Sequence, residues 1–518
     1  MSARIAKTRT LSLSLLSSLA LLSTAVACVS AGDDDDADGG VGTGGAVTTG
    51  GTDGAGGMVN AGGSTNAGGS GNSGGSVGAG GSMNSGGLTN TGGTDAGGST
   101  NAGGSDVGAG GDVGSGGAEI GTGGSATGGI EDYNPDFVEF VGEDCDLPEP
   151  SLLSSPDHSL PDPFLMSDGS RMSSLSEWAC QRAWLKKNVE AFVHGDKPGT
   201  PDSVTGSVSS GSISVAVNHG GSSASFSLSI DMPSGAQTPV PAMFRTDSGG
   251  VPTDFLHGEG VAVISVSHSA AESAFNSIYG GSGVADPIKW AWYVSRAIDV
   301  LVSERDAGNN DIIDPTALGT TGCSYAGKSA FVVGAYDERI ALGIPMESGT
   351  GGLGSYRIVG DMDLGPNQGE DPEQVNEACS QGWLTSNVCS GNVDTIPADS
   401  HFLVAMYAPR GFTTLQNDRI GHLGPVAQYA ATIAGAEVYK ALGVESHVGY
   451  HGGNGADPHN HCSFYPHQED MARRAIQGFL TRTIEPNNTM EPQLRNQGNS
   501  EVNISVSDYA NWDTPSLN

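Results

Sequence analysis

The chain has 518 residues, of which 82 are glycine, and a formal net charge of −36 at pH 7. This acidic balance argues against a nucleic-acid partner, because the phosphate backbone would be repelled. Most of the glycines precede residue 131 in a segment that cannot bury a core, so about 390 residues remain for one large α/β domain or two small ones.

The N-terminal residues have the pattern of an export signal. Basic residues open the chain, and residues 11–26 form an apolar run that is short for a membrane span. Residues 25–28, AVAC, resemble a bacterial lipobox in which Cys28 becomes the lipidated first residue, and the alternative is a plain signal peptide cut near Ala27. We therefore expect residues 1–28 to be a lipoprotein-type signal peptide. The protein would be exported, either as a bacterial cell-surface or outer-membrane lipoprotein or as a secreted protein, and would touch a membrane only through this anchor.

Residues 29–130 are a low-complexity linker rich in Gly, Ser and Asn. The unit NAGGS recurs, for example at 66–70 and 101–105, and apolar residues that could stack as repeats are nearly absent. The composition predicts a disordered, flexible linker followed by one folded domain over residues 131–518.

Strand-like and helix-like segments alternate along the folded domain. Apolar runs, either continuous or alternating with polar residues, predict strands, and apolar residues at helical spacing predict helices. The predicted strands are 225–232, 261–266, 341–345 and 401–406, and the predicted helices are 288–303, 329–336 and 428–442. This alternation predicts an α/β fold with a mostly parallel central sheet and helices on both faces.

The segment 321–328, TGCSYAGK, is the most informative for chemistry. It predicts a tight strand-to-helix turn that exposes Oγ of Ser324 to both a substrate and a base. The helix that follows directs N–H groups toward the place where an oxyanion would develop. The spacing departs from G-x-S-x-G, because Ala326 replaces the second glycine and Gly327 follows it. The alternative interpretation is an ordinary Gly/Ser turn.

A candidate base lies late in the chain, in the segment 459–462, HNHC. In α/β-hydrolases the base histidine follows the nucleophile and the acid. Cys462 adjoins His461 just as Cys323 adjoins Ser324, and a disulfide between the two cysteines would bring Ser324 and His461 together, since bridged Cα atoms lie about 5–6 Å apart. The chain has seven cysteines, and six remain if Cys28 is lipidated, which is an even number suited to an oxidising compartment.

Several motifs together resemble the glucuronoyl esterases, carbohydrate esterase family 15. GCSYAGKS at 322–329 is similar to the family's nucleophile motif G-C-S-R-N-G-K-G. The other similar segments lie within 337–349 and at 408–411, 423–425 and 459–462. The resemblance extends over about residues 140–485. It implies an α/β-hydrolase three-layer sandwich and ester hydrolysis without a cofactor.

The resemblance assigns the catalytic roles. Ser324 matches the nucleophile, His461 the base and Glu347 the triad carboxylate that orients the imidazole. Asp418, after a late strand, stands where other hydrolases of this fold carry their acid, and it is the alternative carboxylate.

The substrate-binding positions match the family in part. Lys328 and Gln374 match ligands of the glucuronate hydroxyls. Tyr325 replaces the family's oxyanion-stabilising arginine, and His422 replaces its substrate-binding tryptophan. A tyrosine can donate one hydrogen bond to the oxyanion but brings no positive charge, and loss of such a donor costs on the order of 3 kcal/mol. Slower turnover or a different ester substrate therefore stays open.

The remaining cysteines fit two further disulfides. Cys145 with Cys180 would tie down the N-terminal extension of the domain, and Cys379 with Cys389 would close a short loop. No histidine or carboxylate cluster in the sequence completes a zinc site at the usual spacing, so we expect no metal.

The sequence thus predicts a monomeric serine carboxylesterase that cleaves esters of (4-O-methyl-)glucuronic acid in glucuronoxylan–lignin crosslinks. An esterase for acetyl xylan or feruloyl esters is one alternative. A surface glycan-binding homologue that has lost most of its catalysis is the other.

Overall fold

The computed structural model describes residues 133–134, 137–139, 145–247, 249–281, 283–361, 372–454, 457–492 and 505–518. The predicted signal peptide, the lipidation of Cys28 and the predicted linker lie outside these residues. In the described part of the chain, no helix is both long enough and apolar enough to cross a membrane.

Nine strands in the described residues form one sheet. The strands are β1 Ser203–Ser209, β2 Ser212–His219, β3 Ser222–Asp231, β4 Val240–Thr246, β5 Ala262–Val266, β6 Ile313–Cys323, β7 Ile340–Met346, β8 Gly411–Leu415 and β9 Val448–His451. Their order across the sheet is β1-β2-β3-β5-β4-β6-β7-β8-β9. Pairing is antiparallel from β1 to β5 and parallel from β5 to β9. The predicted mostly parallel sheet is confirmed.

The α-helices connect these strands and cover both faces of the sheet. They are α1 Trp178–Val189, α2 Thr253–Gly258, α3 His268–Tyr279, α4 Asp286–Asp306, α5 Tyr325–Tyr336, α6 Ile358–Asp361, α7 Val375–Ser380, α8 Ser386–Ser390, α9 His401–Tyr407, α10 Pro425–Ala441 and α11 Pro466–Phe479. Side chains of α1, α3, α4, α5 and α9 share one large core with the sheet. Side chains of α2 and α11 form a second core on the opposite face. This arrangement confirms the three-layer sandwich.

One predicted strand is wrong. Residues 401–406 were expected to be a strand but belong to the helix α9, and the strand that follows, β8, starts only at Gly411. A short run of buried apolar residues is compatible with either element, because every residue of α9 is buried and no polar face reveals a helical period. The five residues of β8 are likewise all buried.

Candidate active site

Ser324 lies between the end of β6 and the first residue of α5, in a strained backbone conformation. Its φ of 58° and ψ of −123° are rare for a residue with a side chain. Its N–H donates to the carbonyl of Met346 on the neighbouring strand, at 3.1 Å. Such a strained turn is the geometry that presents a nucleophilic serine above the sheet.

Two glycines allow this turn to form. A Cβ on Gly322 would lie 2.2 Å from the carbonyl oxygen of Ala326, and a Cβ on Gly327 would lie 2.4 Å from that of Met346. Both distances are far below van der Waals contact. The departure from G-x-S-x-G therefore has a steric reason, because Gly327 is the residue of α5 that meets β7.

A disulfide places His461 next to this turn. Cys323 and Cys462 are bonded with their Cα atoms 5.6 Å apart, so the residues adjoining each cysteine, Ser324 and His461, are held in the same region. The pairs Cys145–Cys180 and Cys379–Cys389 are also bonded. All three disulfides join the cysteines that were expected to pair.

Glu347 is the carboxylate that binds His461. It follows β7, is fully buried and has a positive φ of 45°. Its Oε2 lies 2.7 Å from Nδ1 of His461 and accepts the backbone N–H of Cys462 at 2.8 Å. A hydrogen bond at Nδ1 leaves Nε2 as the nitrogen that can exchange a proton with a serine.

Asp418, the alternative acid, is engaged elsewhere. It follows β8, is 2% exposed, and its Oδ1 accepts the hydroxyl of Tyr450 at 2.7 Å. Burial and the neighbouring carboxylate of Asp418 raise the pKa of Tyr450 well above its usual value, so this hydroxyl stays a donor. The geometry favours Glu347 over Asp418 as the partner of the histidine.

The same cluster contains residue types found in metal sites. Ligand atoms of Cys323, Glu347, His461 and Cys462 lie within 4.8 Å of one another. The two sulfurs, however, are joined in the disulfide, and it is the thiolate form of cysteine that binds metals. The chemistry of this donor set therefore suits a proton relay better than a metal site.

Backbone amides at the elbow are available for an oxyanion. Tyr325 is the first residue of α5, and the first N–H groups of a helix have no partner within it. The loop after β4 packs against the elbow so closely that a Cβ on Gly249 would lie 3.0 Å from Cβ of Cys323, and one on Gly250 would lie 2.7 Å from the nitrogen of Gly322. In α/β-hydrolases the corresponding loop supplies the second amide of the oxyanion hole.

The side chain of Tyr325 packs against two other rings. Its ring lies 4.2 Å from the ring of His268 and 4.8 Å from that of Trp290, centroid to centroid. Burial raises the pKa of Tyr325, and the negative charge of Glu272 raises it further. The raised pKa keeps the hydroxyl of Tyr325 protonated, so that it can act as a hydrogen-bond donor.

Lys328 lies one turn after Ser324 on α5 and is 2% exposed. Its Nζ donates to the carbonyl of Ser348 at 2.6 Å and to Oε2 of Glu373 at 3.0 Å, and it lies 4.2 Å from the ring centroid of Trp383. Burial lowers the pKa of Lys328, and Glu373 opposes this shift. The lysine is therefore held rigidly between a carboxylate and an aromatic face beside the nucleophile.

Gln374 and His422 lie next to this group. The side-chain amide of Gln374 donates to the carbonyl of Pro372 at 3.0 Å, at the start of α7. His422 is exposed, and its carbonyl accepts the N–H of Glu373 at 2.7 Å. Glu373, which adjoins Gln374, is the residue of this segment that contacts Lys328.

Sequence reasoning missed Glu373 and Trp383 as members of the site. Glu373 adjoins the predicted Gln374, but nothing in its local pattern distinguishes it from a surface carboxylate. Trp383 lies between the paired cysteines Cys379 and Cys389, and only the closed loop brings its ring to Lys328.

A serine on a strained elbow after a parallel strand and a histidine bound to a buried carboxylate define a serine hydrolase with the α/β-hydrolase fold. Comparisons with known proteins narrow this class. A family model described as "Glucuronyl esterase, fungi" matches residues 215–443. The 4-O-methyl-glucuronoyl methylesterase of Neurospora crassa is 33% identical over 368 residues, which cover 69% of this chain and 89% of the relative. That of Schizophyllum commune is 34% identical over 395 residues, covering 73% and 95%.

Solved structures agree with these relatives. The catalytic domain of the glucuronoyl esterase from Hypocrea jecorina matches with a TM-score of 0.62 and 29% identity, over 72% of this chain and 100% of that domain. A serine-to-alanine mutant of the Sporotrichum thermophile glucuronoyl esterase, solved with methyl 4-O-methyl-β-D-glucopyranuronate, matches with a TM-score of 0.60 and 31% identity, over 72% and 100%. The chain belongs to the glucuronoyl esterase family.

Proposed function

We propose that this protein hydrolyses esters formed by the carboxyl group of 4-O-methyl-glucuronic acid, as in glucuronoxylan. The observation that carries the proposal is the contact between Nδ1 of His461 and Glu347 at 2.7 Å, tied by the Cys323–Cys462 disulfide to the elbow that carries Ser324. The names of the relatives supply the ester class, since those proteins are 4-O-methyl-glucuronoyl methylesterases.

The proposed reaction has two steps. Oγ of Ser324 attacks the ester carbonyl while Nε2 of His461 takes the hydroxyl proton, and collapse of the tetrahedral intermediate releases the alcohol, which leaves with that proton. Water, deprotonated by the same nitrogen, then attacks the acyl-enzyme and releases the uronic acid. Glu347 stabilises the imidazolium in both steps, and the amide of Tyr325 with the loop at 249–251 binds the oxyanion.

Lys328, Glu373 and Trp383 are the proposed sugar-binding group. An ammonium donates to sugar hydroxyls, a carboxylate accepts from them, and an aromatic face packs against the apolar C–H groups of a pyranose ring. Gln374 and His422 adjoin this group through the segment 372–374 and are proposed as further contacts of the sugar. His422 has a smaller ring than the tryptophan it replaces.

The test is hydrolysis of a benzyl glucuronate ester, acetylated xylan and p-nitrophenyl acetate by the wild type and by Ser324→Ala. We expect turnover of the glucuronate ester that disappears in Ser324→Ala. Ser324-dependent turnover of acetate esters alone would support an acetyl or feruloyl esterase instead. Loss of turnover on every substrate with retained glycan binding would support a binding module.

We further propose that the natural ester joins glucuronoxylan to lignin, that the protein is exported, and that it acts as a monomer. The three disulfides support export, because they persist in oxidising compartments. Esters of arylalkyl alcohols should be cleaved with a higher kcat/KM than the methyl ester, and light scattering after size exclusion should give the monomer mass.

Lipid anchoring at Cys28 predicts that Cys28→Ala moves the protein from the membrane fraction to the soluble fraction.

A further inference from the structure

Strands β3 and β5 diverge at one edge of the sheet and leave a cleft between them. Their ladder contains only two residue pairs, Ile230 with Ile264 and Asp231 with Val263. Because β3 pairs with β2 from Ser222 to Ser229, it continues as a strand beyond its contact with β5. A cavity of about 460 Å³ opens where the two strands separate, and the reaction above makes no use of it. This β3–β5 cleft is lined by five serines, Ser212, Ser227, Ser229, Ser265 and Ser267.

The cleft lies at the same edge of the sheet as the nucleophile. Ser265 is close to the end of β5, and Ser324 directly follows β6, which runs parallel to β5 through their shared neighbour β4. Strand β5 is two places from β6, and neighbouring strands lie about 4.8 Å apart, so the cleft begins roughly 10 Å from the elbow. Asp247, which directly follows β4, also lines it. One substrate molecule can therefore span both places, as ligands of open α/β sheets do along the carboxyl ends of the strands.

The lining combines hydroxyl groups with a carboxylate and a small apolar part. The serine hydroxyls can donate and accept hydrogen bonds, whereas the carboxylate of Asp247 accepts them. Leu228 and Val266 add buried apolar side chains from the two strands. Such a mixture suits a chain that carries hydroxyl or ether oxygens along an apolar framework.

Tyr293 of α4 gives the cleft a floor with an unpaired donor. It lines the cleft although only 1% of its surface is exposed, and its ring stacks on Phe226 with centroids 4.0 Å apart. Burial raises the pKa of Tyr293 to about 12, so its hydroxyl stays protonated. No hydrogen bond joins this hydroxyl to another residue in the described part of the chain, and a buried tyrosine hydroxyl without a partner is unfavourable. An oxygen of a ligand in the cleft would supply that partner.

The cleft and the proposed sugar-binding group lie on opposite sides of Ser324. Lys328 donates to the carbonyl of Ser348, which follows β7, and β7 is the neighbour of β6 on the side away from β4 and β5. The ester carbonyl must lie at Ser324, and the acid and alcohol parts of an ester extend from it in different directions. An ester whose acid part is bound at Lys328 therefore directs its alcohol part toward β4 and the cleft.

We propose that the β3–β5 cleft binds the alcohol part of the ester, where that alcohol is long enough to reach the cleft and carries hydroxyl or ether oxygens. The proposal rests on the proposed function, because it takes the acid part to lie at Lys328. The hydroxyl of Tyr293 donates to one oxygen of the alcohol, and the serines of the walls pair with others. Methyl and benzyl alcohols are too short to reach the cleft, so it discriminates only among larger alcohols.

The first test compares glucuronate esters of methanol, tri(ethylene glycol) and the n-alkanol of equal chain length. The readout is KM, because the reactivity of the leaving alcohol affects kcat. We expect a KM for the tri(ethylene glycol) ester about tenfold below that for the methyl ester, the order of effect that one or two new hydrogen bonds produce. The n-alkyl ester should gain less, since it cannot pair with the hydroxyl groups of the cleft.

Tyr293→Phe tests the floor of the cleft, because it removes the hydroxyl and keeps the ring that stacks on Phe226. It should raise KM for the tri(ethylene glycol) ester about fivefold and leave KM for the methyl ester unchanged. Tyr439→Phe is the matched control, since it also removes a hydroxyl that is buried without a partner, but on α10. It should change neither KM.

Ser229→Val tests the wall by filling the cleft with two methyl groups on an exposed strand position. It should raise KM for the tri(ethylene glycol) ester alone. Ser225→Val is its matched control, because Ser225 is exposed on the same face of β3 but does not line the cleft. Thermal melts check that all four variants are folded.

Two results would overturn the proposal. One is a wild type whose KM is the same for the methyl and tri(ethylene glycol) esters, or a Tyr293→Phe variant whose KM rises equally for both, because a structural role acts on all esters alike. The other concerns xylo-oligosaccharides added as inhibitors of methyl-ester hydrolysis. Inhibition that weakens in Ser229→Val, without a preference for the tri(ethylene glycol) ester, would assign the cleft to a glycan chain instead.

Failure of this proposal is distinguishable from failure of the proposed function. Acetate esters of the same three alcohols report on the alcohol part whatever the natural acid is. If no glucuronate ester is hydrolysed but the acetates show a Tyr293-dependent preference for tri(ethylene glycol), the acid assignment fails and the role of the cleft stands. If glucuronate turnover depends on Ser324 but no alcohol is preferred, the cleft assignment fails and the proposed function stands.

Discussion

The Cys323–Cys462 disulfide makes the most direct prediction about how this site is held together. The bond joins residues 139 apart in sequence and anchors His461 beside the elbow. In the chain-entropy view, opening a loop of that length by the double change C323A/C462A costs about 5 kcal/mol of stability. The Cys379–Cys389 bond closes only 10 residues, and C379A/C389A should cost about 3 kcal/mol in the same view.

The two variants should differ more in activity than in stability. Without the first bond, the imidazole of His461 is held chiefly by its contact with Glu347, on a side chain that is 41% exposed. A displacement of about 1 Å at a reacting group can reduce turnover on the order of 100-fold, and this is the loss of kcat that we expect for C323A/C462A. The loop closed by Cys379 and Cys389 carries Trp383 rather than a reacting group, so its opening should act mainly on KM.

Urea unfolding measures the stability change. Initial rates on the benzyl glucuronate ester give kcat and KM, and they are measured without urea so that both variants are folded. The refuting result is a C323A/C462A variant that loses stability but keeps kcat within about twofold of the wild type. The disulfide would then stabilise the fold without positioning the base, and Glu347 alone would suffice to orient His461.

Three further predictions follow from single residues. Glu347→Gln should lower kcat by about 10³- to 10⁴-fold because the imidazole loses its carboxylate, whereas Asp418→Asn should change kcat little; equal losses would contradict the choice of acid. Glu373→Gln should raise KM for the glucuronate ester and leave KM for p-nitrophenyl acetate unchanged, because it removes the partner of Lys328; equal shifts on both esters would exclude a sugar-specific role. Burial lowers the pKa of His401 from 6.5 to about 4. Between these two pH values the unfolded state binds more protons than the folded state, so the free energy of unfolding should fall by up to about 3 kcal/mol as the pH drops from about 6.5 to 4. Urea midpoints across this range test the slope, which should be shallower in His401→Gln.

Much of the site could be predicted from local sequence because its constraints are local. The elbow needs small residues where backbones meet, and Gly322 and Gly327 satisfy that need whatever the rest of the fold. The cysteines next to Ser324 and His461 encode a long-range contact in sequence, since a disulfide allows only one narrow range of Cα separation.

The helix α9 shows where local pattern stops being informative. Residues 401–407 are apolar apart from the first, and burial on every side removes the polar face by which a helix is recognised in sequence. Its position between α5 and α10, and not its own composition, selects the helical conformation.

The sequence by itself determined the residue types of the proposed catalytic group, their order along the chain, and the pairing of the cysteines. Only the tertiary structure decided that Glu347 rather than Asp418 meets His461 and that Glu373 meets Lys328. The physical reason is that these contacts depend on which strands are neighbours and on a strained backbone at Glu347. Both are set by the packing of the whole sheet and cannot be recognised in any short segment.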